Sequence, residues 1–422
     1  MNRNILMILT LLMAGNLRAQ TPDFIFSGAI GSPQLFMAGN QQQYPVLRLN
    51  SSDKMELHFD DLDGDVKNYY CSLVLCNEDW TPAEVSDMDY IKGFSQVRVD
   101  NYTLSSIALT RYTHFQAILP DPNCIPIKSG NYMLKVFLDG DTSKLAFTKR
   151  FLVVDARVPI QSQFMQPQSF ELAHTYQNIQ FRLNTAAVNP PNPLDQIKID
   201  IVQNYRWDNV VRGVKPVFAI NNDLQYNNPD DVNFEGGSEW RWVDLQSFRY
   251  QSDRIQSVSA NKQGTDIIVK PDGDRSGREY YFYADYNGNF VLKTTEQYNP
   301  LFQTDYATVH FSFVPPGGTA FEGKDVYVLG KFTGGGLNDS TRMVFNADKG
   351  RYERSFFMKQ GYYSYCYVTV DKSDANMKPG FFQTEGNHEE TENNYMILVY
   401  YRALGSRTDE IVGITRFNTL NK

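Results

Sequence analysis

The chain has 422 residues, of which 40 are basic and 48 acidic, and its formal charge is −8. It contains no run of Lys or Arg, which excludes the clustered positive charge that nucleic acids and anionic membrane surfaces require of a partner. Four cysteines are too few for a disulfide framework, whereas 26 Tyr and 28 Phe favour strands and half-wet surfaces.

Residues 1–19 carry Arg3, the apolar run Ile5 to Ala14, and Leu17-Arg18-Ala19 before Gln20. That order is a secretory signal peptide, with cleavage expected near Ala19. The run is shorter than the roughly 20 apolar residues of a spanning helix, and no later segment is longer, so no membrane insertion is expected. Arg3 and Arg18 are the leader's only charges, so the remaining chain carries −10. No Cys follows the cleavage point to take a lipid. About 400 residues exceed one compact core, so several domains are expected.

Short alternating segments split by turn signals predict an all-β chain of serial immunoglobulin- or fibronectin-like β-sandwiches. A first unit is expected over residues 20–155. Met55 to Phe59 alternates, and Tyr69 to Cys76 is apolar on both faces, as a central strand is. Ser129-Gly130-Asn131 turns into Tyr132 to Leu138, and Asp139-Gly140 closes a hairpin onto Phe147 to Val154. Tyr132, following Gly-x, reads as the anchor of a tyrosine corner. Cys71 and Cys76 share one strand at an odd separation and so face opposite ways, while Cys124 and Cys366 read as small buried hydrophobes.

A second unit is expected over residues 156–316. Gln177 to Leu183 and Ile197 to Gln203 are period-two strands, and Asn287-Gly288 predicts a hairpin between Tyr280–Tyr286 and Asn289–Leu292. Pro315-Pro316-Gly317-Gly318 is the clearest boundary signal, which leaves residues 317–422 as a third unit. There Val326 to Gly330, Arg351 to Met358 and Tyr362 to Val368 read as strands, Met396 to Tyr401 as the last sandwich strand, and Ile411 to Ile414 as a short strand in the tail.

Nothing marks an enzyme. His388-Glu389-Glu390 has Glu392 where a zinc protease needs its second His. Asp60-Asp61-Leu62-Asp63-Gly64-Asp65 departs from calcium-loop spacing and reads as a solvated hairpin. No nucleophile elbow, phosphate loop or dinucleotide fingerprint is present, and Gly334-Gly335-Gly336 reads as a flexible turn. No catalytic residue, cofactor, metal or small-molecule substrate is therefore expected. The candidate partner-binding residues are Trp207, Trp240, Arg241 and Trp242. Trp240 and Trp242 share one strand face and could fill a protein pocket, stack on a sugar or pack in the core.

Several segments together resemble the plug protein family of the type IX secretion system of Bacteroidetes. They are Tyr69 to Trp80, Gly130 to Val136, Gln203 to Asn209, Phe234 to Arg241, Asp285 to Gly288 and Glu385 to Asn393. The resemblance covers nearly the whole chain beyond the leader. It implies a periplasmic, non-enzymatic protein that seals the periplasmic mouth of an outer-membrane translocon barrel, and so a barrel partner. Residues 324–370, through Val326 to Phe332 and Gly361 to Tyr365, also resemble the early-set, glycogen-binding module. The Trp residues by which that module reads sugar are missing after Trp242. The alternative function is an exported glycan-binding β-sandwich protein.

Overall fold

The computed structural model describes residues 23–334 and 336–420. The expected leader and Gly335 lie outside them. The described chain is built almost wholly of strands, arranged as three two-sheet sandwiches.

In the first sandwich one sheet has the order Ile30–Met37, Met55–Asp61, Thr113–Leu119, Asn101–Leu104. It faces a sheet centred on Leu145–Val154, Gly130–Leu138 and Tyr69–Cys76. Inward residues of both sheets, among them Phe59, Phe115, Tyr132 and Phe147, form one apolar core. Tyr132 Oη donates to Lys128 O at 2.9 Å, closing the tyrosine corner. The same Lys-x-Gly-x-Tyr spacing recurs in the third sandwich, where Tyr363 Oη donates to Lys359 O at 2.6 Å.

The second sandwich is discontinuous in sequence. Its first sheet is built around Tyr176–Asn184, and its second pairs Ile197–Gln203 with Asn394–Tyr401 and then Glu410–Asn418. Met396 to Tyr401 thus closes this sandwich, and the third lies between its two halves. The third packs Arg241–Asp244, Tyr362–Asp371 and Lys324–Leu329 against a sheet centred on Tyr306–Val314 and Arg351–Lys359. Pro315 to Gly318 leads from Tyr306–Val314 to Lys324–Leu329, strands that belong to the two facing sheets of the third sandwich. A Pro-Gly signal marks a turn, and the turn here lies inside one sandwich.

Asn287-Gly288 does turn, with φ of 48° and 77°, but Tyr280 to Tyr286 forms no ladder. Its polar groups go to side chains instead: Tyr280 Oη donates to Glu239, and Tyr286 N donates to Ser364 Oγ. All four cysteines are free and buried. Cys71 packs in the first core and Cys76 on the opposite face, towards the second sandwich.

Candidate functional site

The three sandwiches meet around Tyr44 and Tyr205. Ile197–Gln203 ends in Asn204 and Tyr205, with φ of 52° and 57°. Two successive left-handed residues that are not glycine are strained and persist only where the surroundings hold them. Here Asn204 N donates to Asn394 O at 2.7 Å, and Asn204 Nδ2 to Asn393 Oδ1 at 2.6 Å. The reversal brings Tyr205 onto Tyr44, whose ring lies 4.0 Å away at 11°.

Trp207 follows. It packs edge-on against Trp80 of the first sandwich at 4.9 Å, with the Arg150 guanidinium over both rings. Around them Cys76, Met133 and Leu152 of the first sandwich meet Val202, Met396 and Tyr400 of the second in one apolar cluster.

The other expected partner-binding residues are placed by the same junction. Trp240 is buried against Phe381. A Cβ on Gly288 would lie 2.7 Å from the Trp240 ring, so the turn needs glycine for contact as well as for its φ. Arg241 is 3% exposed, which closes it to any partner in this conformation. Its Nε donates to both Glu385 oxygens at 3.0 Å and its Nη1 to Asp272 at 3.1 Å. Burial opposes its charge, but the Glu385 and Asp272 carboxylates outweigh burial and hold Arg241 above its ordinary range.

Trp242 is half-buried, with Tyr283 edge-on at 4.9 Å and the Arg254 guanidinium 5.2 Å from its ring centre. The structure therefore does not bring the four residues into one surface. Trp240 and Trp242 form no open stacking pair, because Trp240 precedes the strand and is enclosed.

Three of the segments that carry the family resemblance, Phe234 to Arg241, Asp285 to Gly288 and Glu385 to Asn393, converge here as one hydrogen-bonded network. Gly237 N donates to Asn387 Oδ1 at 2.7 Å, Asn393 Nδ2 to Gly236 O at 2.8 Å, and Asn287 Nδ2 to Glu392 at 2.6 Å. Trp240 N donates to Asp285. A Cβ on Gly236 would lie 1.9 Å from His388 O, so these loops pack backbone to backbone.

At the junction is a partly open cavity of about 310 Å³. Its walls come from all three sandwiches, through Phe36, Tyr44, Tyr205, Phe290, Lys149 and Lys331. The Lys331 backbone N–H donates to Gly288 O at 2.8 Å, and its ammonium lies 3.7 Å from the Tyr44 ring centre. Local sequence reading missed Tyr44, Lys149 and Lys331, which come together only through long-range packing; Tyr205 lay within a recognised segment.

The acidic loop holds a cation of its own. The Lys67 ammonium is 2.9 Å from Asp61 and 3.6 Å from Asp65, and it also pairs with Asp63. Among the described residues no group of three or more His, Cys, Asp or Glu side chains is placed to share a metal ion. No helix among them is long and apolar enough to cross a membrane.

No curated protein matches the chain. A solved structure of a hypothetical protein from Parabacteroides merdae is similar throughout. It has 26% identity and a TM-score of 0.90, over 95% of this chain and 100% of that one. Residues 30–155, which include every strand of the first sandwich, match the family described as type 9 secretion system plug protein 1st domain.

Proposed function

We propose that this chain is a periplasmic, non-enzymatic plug that binds the periplasmic mouth of the outer-membrane type IX translocon barrel and seals it. The match of residues 30–155 to the plug family's first domain carries this reading.

The architecture supports it. A seal needs a wide surface that does not flex, and the three sandwiches are tied by buried contacts, apolar at Trp80 and Trp207 and ionic at Asp60 and Lys359. The first sandwich also offers a contact surface. Asn101–Leu104 is an edge strand with Tyr102 and Leu104 exposed on one face. The loop after it exposes Ile107 and Leu109, each 64% accessible. Edge strands that carry apolar side chains are where a second chain pairs and packs. On this reading Trp242, whose ring is only half-buried, is the one of the four candidate residues left to touch a partner. The likeness of residues 324–370 to an early-set module then concerns strands of the third sandwich rather than a separate sugar-reading unit.

Affinity purification of the tagged chain from its host tests the reading. A very large β-barrel protein should copurify with the wild type, and a folded Leu104→Asp/Ile107→Asp variant should lose most of it. Recovery of no barrel protein with the wild type would count against the plug.

A further inference from the structure

The junction cavity has a chemistry that neither the family resemblance nor a seal requires. Among the described residues the ammonium groups of Lys149 and Lys331 have neither an ion pair nor a hydrogen bond, although both side chains are half-buried and line the cavity. The other charges on its wall are already matched. Asp23 is taken by Arg150, at 2.8 Å to the backbone N–H and 2.9 Å to the guanidinium, and Asp208 by Arg206. Among the described residues neither wall lysine is paired with a carboxylate, which leaves the wall net positive when both are protonated.

Burying a charge is costly unless it is paired. Burial, aided by Lys149 and opposed by Asp23, pushes Lys331 down to about 7. Among the described residues its ammonium contacts two π-faces, Tyr44 at 3.7 Å and Tyr205 at 5.3 Å. The lining also holds the apolar and aromatic groups Phe36, Phe290, Leu329 and Trp240, beside neutral Gln and Asn amides that include Gln34 and Asn204. A volume of about 310 Å³ lies at the lower end of the roughly 300–1,000 Å³ typical of small-molecule sites.

We infer that this cavity binds an organic carboxylate with an apolar or aromatic body, its carboxylate pairing with Lys331 and Lys149 and its body lying along Tyr44, Tyr205 and Phe290. An inorganic anion would pair with the lysines and leave the apolar wall bare. A neutral molecule of the same shape would fill the wall and leave both charges unpaired. The carboxylate can belong to a free acid or to the C-terminus of a peptide, since both present the same group. The inference stands independently of the plug reading, because it concerns the cavity at the junction of the sandwiches and needs no barrel.

Calorimetric titration of the full mature protein distinguishes these cases. The probes are 3-phenylpropionate, its amide, inorganic phosphate, and the peptide Gly-Gly-Phe with a free or an amidated C-terminus. At least one free carboxylate should bind, with its amide and phosphate weaker by about tenfold or more. Binding by phenylpropionate identifies a free acid as sufficient, and binding by the peptide alone identifies a chain end. Lys331→Gln and, separately, Lys149→Gln should each weaken binding by about tenfold. Affinity for the wild type should fall as pH rises through 7, when Lys331 loses its charge.

Wild-type crystals soaked with the bound probe should show its carboxylate against the two ammonium groups, a readout that does not depend on either variant folding. Binding of no carboxylate, equal binding of acid and amide, equal binding of phosphate, or density elsewhere would each overturn the inference.

Discussion

The Lys359 ammonium of the third sandwich lies 2.6 Å from the Asp60 carboxylate of the first, and neither side chain reaches solvent. Asp60 also accepts from Tyr306 Oη at 2.6 Å and His114 Nδ1 at 2.7 Å, while Lys359 donates again to Leu301 O at 2.5 Å. Burial opposes the charge on both partners. For Asp60 the Lys359 ammonium, with His114, outweighs it and holds the carboxyl below its usual range, whereas burial lowers Lys359 against the pull of Asp60. The Asp60 direction governs, because its charge is matched by more partners.

Removing one member of this pair should be costly. Lys359→Met leaves a buried carboxylate uncompensated and is expected to cost about 3–5 kcal/mol, with the added change Asp60→Asn recovering part of it. Urea unfolding measures both. The depressed carboxyl also fixes the pH dependence: its contribution is complete above the unfolded carboxyl pKa of about 3.9 and is lost as pH falls through the folded value. A cost for Lys359→Met below about 1 kcal/mol would show that the pair does not hold the sandwiches together.

Asp285 should act in the opposite sense. Burial raises it to about 8, although it accepts backbone N–H groups from Asn287 and Trp240. Between about pH 4 and pH 8 the unfolded chain ionises this group while the folded chain keeps the proton, so stability falls as pH rises. Asp285→Asn should match the wild type near pH 4 and be more stable by about 1–2 kcal/mol near pH 8, the discount reflecting its partly exposed side chain. Parallel melting curves across this range would contradict it.

The tryptophans should separate by burial. Trp207→Ala empties a buried contact with Trp80 and Arg150 and should cost about 3–5 kcal/mol. Trp242→Ala, at a half-buried ring, should cost clearly less. Thermal melts of the two variants check the order, and equal losses would mean that Trp242 is as structural as Trp207.

Much of the fold was legible because strands announce themselves locally. Alternation at Gln177 to Leu183, the Gly-x-Tyr start at Tyr132 and the Asp139-Gly140 turn each need only a few neighbours to be read. The nesting of the third sandwich within the second was not legible, because Ile197–Gln203 and Asn394–Tyr401 pair across almost 200 residues and carry no local mark of each other. The site failed for a related reason. Trp residues on a strand read equally as anchors and as core, and only burial decides; Tyr44, Lys149 and Lys331 look ordinary until packing joins them.

The acidic loop makes a simple chemical prediction. Lys67 occupies the space between Asp61, Asp63 and Asp65, and the carboxylates raise its pKa although burial opposes them. Millimolar calcium should leave the wild-type melting temperature unchanged to within about 1 °C, and chelator should do the same. A rise of about 5 °C with calcium would show that the ion displaces Lys67.

The plug itself is tested most directly by outer-membrane permeability after deletion of the gene. An unoccupied barrel wide enough for protein cargo passes small solutes freely, so deletion should admit a large antibiotic that the intact envelope excludes, and the wild-type gene should restore the barrier. Unchanged uptake, with the translocon still assembled, would contradict the account.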